Sequence, residues 1–352
     1  MTLLLVYGTR PEAIKLGPVA AELRNLRTPF GVLCTGQHTS LLAGTPAETD
    51  LYDSASLGLA SDGNVLKWLG KAELAIRQFL ERKADLDTVV VQGDTMSALA
   101  AARAAAVLQR TLVHVEAGVR SGDLENPWPE EGARREITQF ADWHYAPTTH
   151  CFANLVAEGV PSERILVTGN PVVSALARYT GGRPMPAQPH ILVTLHRREL
   201  LQDTTNAVAV VEEIVEQARQ HADLQFVWPV HPATMKALAG KIKAKAASNF
   251  VQTTPLPYRE AITTLATATG VLTDSGGLVE EATTLGVPNA TLRVATDRPE
   301  ALETGLGARF SPDPAGVRGG IAWLSGERPR KPSAIFGTPE AAATIAKHLA
   351  SL

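Results

Sequence analysis

Short runs of apolar residues recur along the chain, and each ends in a cluster of polar side chains. Leu3–Tyr7 gives way to Gly8-Thr9-Arg10-Pro11-Glu12, and Val89–Val91 to Gln92-Gly93-Asp94-Thr95. Leu112-Val113 leads into His114-Val115-Glu116-Ala117-Gly118, Ile191–Thr194 into Leu195-His196-Arg197-Arg198-Glu199, and Gly270–Thr273 into Asp274-Ser275-Gly276-Gly277. Unbroken apolar runs of this length read as strands buried on both faces of a parallel sheet. Between them lie segments of helical spacing, at about 12–27, 95–108, 133–141, 149–158, 206–221, 234–245, 258–266, 278–285 and 339–349. The segment 206–221 is the clearest, with Val208, Val211, Ile214 and Val215 on one face. Strands alternating with helices predict βαβ units and an α/β fold of doubly wound parallel sheets.

The run 179–189 is rich in Gly and Pro, sustains neither element and reads as a linker. Two Rossmann-like domains are expected, over 1–178 and 190–335, facing each other across a cleft. The last helix, in 336–352, could cross back onto the first domain. Ligands of open α/β sheets bind beyond the carboxyl ends of the strands. Five such ends that bear both carboxylates and cations predict an anionic ligand and acid–base chemistry.

Composition narrows the classes. At 352 residues, 45% hydrophobic and 20% charged, the chain is ordinary for two globular domains. A net charge of −3 gives no electrostatic case for nucleic acid, and Lys241, Lys243 and Lys245 read as the solvated face of a short helix. No stretch reaches the roughly 18–20 apolar residues of a membrane span, and the opening residues, which run straight into a strand, read as no signal peptide. Cys34 and Cys151 are far apart and flanked by apolar residues, which predicts buried reduced thiols and a cytoplasmic protein. No Cys or His spacing suggests a metal site.

The polar clusters carry candidate chemistry. At Gly8–Lys15 a glycine turn opens a helix whose first N–H groups are free, and Arg10 and Lys15 lie five apart, able to reach one anion or merely to decorate a surface turn. The string Asp274–Glu281 repeats the architecture: Ser275 suits a helix cap, Gly276 and Gly277 offer N–H groups to a phosphate, and Glu281 is placed for a ribose diol. An unremarkable turn is the competing reading. Asp94, Glu116 and Glu130 lie in or after strand ends; singly each reads as a cap or an ion-pair partner, but together they allow one acid to be raised in pKa and another kept ionised. The segment Asn126-Pro127-Trp128-Pro129 is expected to hold the residues after it out of helix. Of the histidines that follow strand-like runs, His38, His196 and His231, His196 is favoured because two arginines accompany it.

Ten strings in register resemble the UDP-N-acetylglucosamine 2-epimerase family: GTRPEAIKLGPV at 8–19, TGQH at 35–38, VQGDT at 91–95, HVEAGVRSGD at 114–123, PWPEE at 127–131, VTGNPVV at 167–173, VTLHRRE at 193–199, PVHP at 229–232, LTDSGGLVEEA at 272–282 and DRPEALETG at 297–305. The resemblance implies a GT-B fold, a UDP-sugar substrate, epimerisation at C2 with no added cofactor, and a homodimer. It implies loss of the C2 proton with anti elimination of UDP, then return of both to 2-acetamidoglucal. Carried over by position, it makes Asp94, Glu116 and Glu130 catalytic acids and His196 a catalytic histidine near the diphosphate. Arg10 and Lys15 become phosphate and active-site contacts. Ser275, Gly276 and Gly277 become the diphosphate turn, and Glu281 the ribose acid. Arg298 becomes a further nucleotide-binding position, and Arg134, His231 and Tyr258 are expected among the substrate-binding residues.

The departures are specific. Ala261 stands where the family usually sets an aromatic residue by the uracil, with Tyr258 three positions earlier as a substitute. Ala133 replaces a usual Asn, the string 293–300 is altered, and Gln37-His38-Thr39-Ser40-Leu41-Leu42 lacks polar groups that help many bacterial members bind an activating second sugar nucleotide. A chain without that activation is therefore expected. The competing readings are a hydrolysing relative that releases N-acetylmannosamine and UDP, an epimerase of a related nucleotide sugar, a GT-B glycosyltransferase, and a non-catalytic sugar-nucleotide binder.

Overall fold

The computed structural model describes residues 2–37, 45–60, 63–179, 188–242, 247–327 and 330–352. They form two compact units, one of residues 1–178 and 336–352 and the other of residues 179–335. His38, Lys243, Lys245 and most of the expected linker lie outside the described residues.

The first unit holds a seven-stranded sheet: β1 (Thr2–Tyr7), β2 (Phe30–Cys34), β3 (Ala55–Ser56), β4 (Leu86–Gln92), β5 (Thr111–Val115), β6 (Trp143–Ala146) and β7 (Ile165–Val167). Their order is β3-β2-β1-β4-β5-β6-β7, all parallel. The second unit has β8 (His190–Thr194), β9 (Gln225–Pro229), β10 (Phe250–Thr253), β11 (Gly270–Thr273), β12 (Asn289–Leu292) and β13 (Gly307–Phe310), ordered β10-β9-β8-β11-β12-β13 and again parallel. In both sheets the order in which strands are added reverses once, between β1 and β4 and between β8 and β11. That reversal is the switch point at which open α/β sheets bind ligands.

The apolar runs become central strands because both faces are covered. β1 sends Leu4 and Val6 into one core cluster and Leu3, Leu5 and Tyr7 into the other. Six short strands, β3, β6, β7, β10, β12 and β13, do not stand out as apolar runs, because all but the three-residue β7 are broken by a polar residue. Among the described residues, three helices of nine or more residues go beyond the expected set: Val65–Glu81, which buries Trp68, Leu69, Ala72, Ile76 and Leu80, then Pro171–Tyr179 and Pro314–Leu324; the short helices Pro46–Thr49, Arg198–Gln202 and Pro299–Glu303 were also not expected. The expected helix at 234–245 is instead Pro232–Leu238, so Lys241 follows a helix rather than lying on one. Tyr179 ends a helix, so the break in structure begins after it. Cys34 and Cys151 are buried free thiols.

The chain returns to the first unit through Phe336. Asn170 N–H donates to the Phe336 carbonyl (2.8 Å), and the helix Ala341–Ser351 packs on Arg10–Asn25, placing Ala342, Ile345, Ala346 and Leu349 in the core around β1. Tyr145 Oη and His348 Nδ1, 2.8 Å apart, close the seam. Among the described residues, no helix is long and apolar enough to cross a membrane.

Candidate active site

At the switch point of the first sheet, the turn after β1 is packed so closely that a Cβ on Gly8 would lie 2.1 Å from the hydroxyls of both Ser97 and Thr35. Thr9 caps the helix Arg10–Asn25 in a reciprocal capping box with Glu12, the arrangement that a Thr-x-x-Glu spacing announces. Glu12 is fully buried. Its Oε2 accepts from Gly8 N, Thr9 N and Thr9 Oγ1 (2.8–2.9 Å), and its Oε1 accepts from Thr95 Oγ1 at 2.6 Å. Burial pushes the carboxyl up to about 7, against the lowering effect of those hydrogen bonds. One carboxylate thus joins the turn after β1 to the turn after β4, next to Asp94.

β4 and β5 run in register, Gln92 beside Val115, so Gly93-Asp94 and Glu116 leave the sheet at one level. Glu116 is buried and adopts φ +66°, left-handed for a residue with a side chain. Its backbone is pinned on both sides, by Gly93 N–H donating to the Val115 carbonyl and Ala117 N–H to the Tyr145 carbonyl, each at 3.0 Å. Lys15 forms an ion pair with Glu116 Oε2, which also accepts from Gln92 Nε2 at 2.8 Å. Lys15 therefore faces a carboxylate rather than standing open beside Arg10; a buried ammonium is stable only with a compensating partner. Asp94, about a quarter exposed, is held by Arg134, whose Nε and Nη2 lie 2.8 and 2.6 Å from Oδ2. Arg134 is itself bound to the fully buried Glu131 at 3.3 Å.

Glu130 is the first residue of the helix Glu130–Phe140, with Pro129 at the N-cap. The prolines before it therefore start a helix rather than hold the following residues out of one. At a helix N-terminus the missing N–H costs nothing, because the first N–H groups have no partner within the helix. His114 lies within β5, fully buried; its Nε2 is 2.8 Å from the Gly93 carbonyl, which can only accept, so Nε2 carries the proton. Burial lowers His114 to about 3 and its strand neighbour His144 to about 4.

The second switch point lies between β8 and β11. Asp274, 1% exposed, accepts from His196 N and Arg197 N at 2.8 Å each through Oδ2. Its Oδ1 lies 3.1 Å from His196 Nδ1, an ionic contact by distance rather than an in-line hydrogen bond. Burial acts to raise Asp274, but the nearby His196 ring and the N–H groups of His196 and Arg197 outweigh it and hold the carboxyl below its ordinary value. The His231 ring centroid is 5.3 Å from that of His196, and His231 Nδ1 accepts from Ala233 N as a helix cap.

Ser275 caps the helix Gly276–Leu285 by accepting from Leu278 N at 3.4 Å. A Cβ at Gly276 would meet Asp297 Oδ1 at 3.1 Å, whereas one at Gly277 would meet nothing within 4 Å. Tyr258 is buried and donates its hydroxyl to Glu281 Oε1 at 3.0 Å. Its ring packs edge-on against Tyr179, 5.9 Å between centroids. The Arg298 guanidinium is buried against Glu280 and the Asp297 carbonyl. The candidate residues thus divide by unit: Arg10, Lys15, Asp94, Glu116, Glu130 and Arg134 in the first, and His196, His231, Tyr258, Ser275, Gly276, Gly277, Glu281 and Arg298 in the second.

Glu12, Gln92, Glu131 and Glu280 are partners that no local string reveals; Asp274 opens the Ser-Gly-Gly string, but its bonds to the His196 loop are not legible there. Among the described residues, no group of three or more His, Cys, Asp and Glu side chains could hold a metal ion. A cavity of about 470 Å³ lined by Arg135, Thr138, His144 and Glu158, among others, contains none of the candidate residues.

Two Rossmann-like units of this strand order, with charged groups gathered at each switch point, define a fold of the GT-B class. The sequence profile of the UDP-N-acetylglucosamine 2-epimerase family matches residues 22–350. The chain is 36% identical over 321 residues to a probable UDP-N-acetylglucosamine 2-epimerase of Ralstonia nicotianae, spanning 86% of this chain and 84% of that one. It is similar to the crystal structure of the Methanocaldococcus jannaschii UDP-GlcNAc 2-epimerase in complex with UDP-GlcNAc and UDP, with a TM-score of 0.90, 30% identity and full coverage of both chains. The corresponding Neisseria meningitidis structure, bound to UDP-GlcNAc, gives 0.88 and 28%, again with full coverage of both. The chain belongs to the UDP-N-acetylglucosamine 2-epimerase family, a family of isomerases.

Proposed function

We propose that the chain reversibly converts UDP-N-acetylglucosamine into UDP-N-acetylmannosamine by anti elimination and re-addition of UDP. The observation that carries this reading is the pair of carboxylates at neighbouring strand ends, Asp94 after β4 and Glu116 after β5, each held by its own cation. The C2 hydrogen of the sugar is unactivated, so its removal needs a positioned base, and its return from the other face needs a positioned acid. In elimination a carboxylate takes the C2 proton. The C–H electron pair forms the C1=C2 bond of 2-acetamidoglucal, and the C1–O pair leaves with UDP. In the return step a UDP oxygen bonds to C1 while a proton reaches C2 from the opposite face. Two acids in unlike surroundings suit this division of labour: Glu116 is buried against Lys15 and Gln92, and Asp94 is partly exposed against Arg134. Glu130 is the third acid of the set.

The departing diphosphate develops charge that cations and N–H groups must meet. His196, Arg10 and the turn Ser275-Gly276-Gly277 take that role, with Glu281 on the ribose and Arg134, His231, Tyr258 and Arg298 lining or supporting the substrate. The named substrates of the relatives above support the same reading.

Incubation with UDP-N-acetylglucosamine in D2O, followed by proton NMR, tests it. Deuterium at C2 without accumulating UDP is expected. Accumulating UDP and N-acetylmannosamine would replace the reversible reaction by the hydrolysing one, and no exchange would remove both. Asp94→Asn and Glu116→Gln should each lower exchange by about 100-fold or more while UDP affinity stays within a few-fold. Full activity in either variant would take that residue out of the reaction.

A further inference from the structure

We propose that Asp274 is the positioning residue of His196: it holds the proton on Nδ1, so that a second proton taken up by the ring sits on Nε2 and faces the departing diphosphate as an imidazolium N–H. The inference rests on the reading of His196 given above. It is carried by geometry within the second unit.

Asp274 follows β11 and His196 follows β8, the two strands that flank the switch point, and they run in register with Thr273 beside Thr194. Asp274 N–H donates to the Thr194 carbonyl at 3.2 Å, and the Thr194 and Thr273 hydroxyls lie 2.6 Å apart. The base of the carboxylate is thereby locked to both strands. Oδ2 is occupied by the N–H groups of His196 and Arg197, so the side chain has one allowed rotation, with Oδ1 on the His196 ring at 3.1 Å from Nδ1. A carboxylate only accepts when ionised, and this one is held ionised in a buried site. At 3.1 Å the tautomer that sets a donor rather than a lone pair against Oδ1 carries the proton on Nδ1. A histidine whose second nitrogen is held by a carboxylate keeps its orientation and its tautomer, the logic of orienting acids behind catalytic and metal-bound histidines.

Asp274 could instead be a mere staple for the loop, since two main-chain N–H groups already occupy Oδ2. Asp274→Asn separates the two roles. The amide oxygen can keep both N–H groups, which turns the amide NH2 toward Nδ1. That nitrogen must then accept, and the proton moves to Nε2. The experiment is a long-range proton–nitrogen correlation spectrum of the full chain labelled with 15N-histidine, at about pH 8.5, above the ordinary histidine range. The His196 signals are assigned by their loss in His196→Gln.

The expected result is an Nδ1–H tautomer in the unsubstituted protein and Nε2–H in Asp274→Asn. With it, kcat for C2 exchange should fall about 100-fold or more, while the Kd for UDP stays within about threefold. An Nε2–H tautomer in the unsubstituted protein, or an unchanged tautomer and kcat in Asp274→Asn, overturns the positioning role. If Asp274→Asn does not fold, the spectrum of the unsubstituted protein alone decides. The tautomer is read without substrate, so a protein that exchanges no C2 proton would overturn the functional reading and leave the tautomer result standing.

Discussion

Glu12 and the buried histidines place opposing proton balances inside one unit. The Glu12 carboxyl, raised by burial to about 7, binds a proton in the folded chain that the unfolded chain releases near 4.5. Its contribution is complete below 4.5 and is lost as pH rises through 7. His114 and His144, lowered by burial to about 3 and about 4, behave in reverse: their contribution is complete above 6.5 and is lost as pH falls toward 4. His348, also lowered by burial, adds in the same direction. Between pH 4.5 and 6.5 at least two protons oppose one, so stability should rise with pH. Each net proton is worth roughly 1.4 kcal/mol per pH unit, or about 3 kcal/mol across the window. Glu12→Gln removes the opposing proton and should steepen the change to about 5 kcal/mol. Urea midpoints measured at intervals from pH 4.5 to 6.5 check both values. Parallel slopes for the two proteins would contradict the assignment to Glu12.

Among the elements, glycines separate what the fold requires from what a ligand requires. Gly118 lies in the turn after β5 at φ +84°, and a Cβ there would sit 2.2 Å from the Cys151 carbonyl in the helix Thr149–Ala157. Gly118→Ala should cost about 3 kcal/mol or more in urea unfolding, from backbone strain and overpacking together. Gly277 opens a helix into empty space, so Gly277→Ala should leave stability within about 1 kcal/mol. It should nevertheless weaken UDP binding tenfold or more by calorimetry if the diphosphate lies on that turn. The central strands were legible in the sequence because a strand covered on both faces must be apolar at every position, as Leu3–Tyr7 and Val89–Val91 are. The helix Pro314–Leu324 was not, because Gly316, Gly319 and Gly320 interrupt its apolar stripe; they are there for close packing, a Cβ on Gly320 meeting Leu272 at 3.1 Å. Asp94 and Glu116 were legible for the same reason as the strands, since each follows an apolar run, whereas Glu130 opens a helix after Pro129. Their partners were not. Glu12 and Asp274 owe their roles to Thr95 and His196, residues 83 and 78 positions away that only the sheet order brings near. Tyr258 donates its hydroxyl to Glu281, 23 positions on, a contact that a local string cannot reveal.

For the whole molecule, the first unit is discontinuous in sequence and the second is not. The helix Ala341–Ser351 buries Ile345, Ala346 and Leu349 completely or nearly so against the core around β1. Deleting residues 336–352 removes that burial and should cost the first unit on the order of 5 kcal/mol or more, at about 2–5 kcal/mol for each large side chain lost. Hydrogen exchange of the shortened chain should show protection lost in β1 and β2 while β8 and β11 keep theirs. Equal loss in both units would mean that they unfold as one.

That discontinuity also orders events on the ribosome. Residues 1–178 emerge first yet lack the helix that covers Leu3, Leu5 and Leu16, and about 160 further residues must be synthesised before it exists. At about 5–20 residues per second this leaves an apolar face uncovered for on the order of ten to thirty seconds. The second unit, contiguous in sequence, can complete its sheet within that interval, so the part of the chain made first is the part finished last.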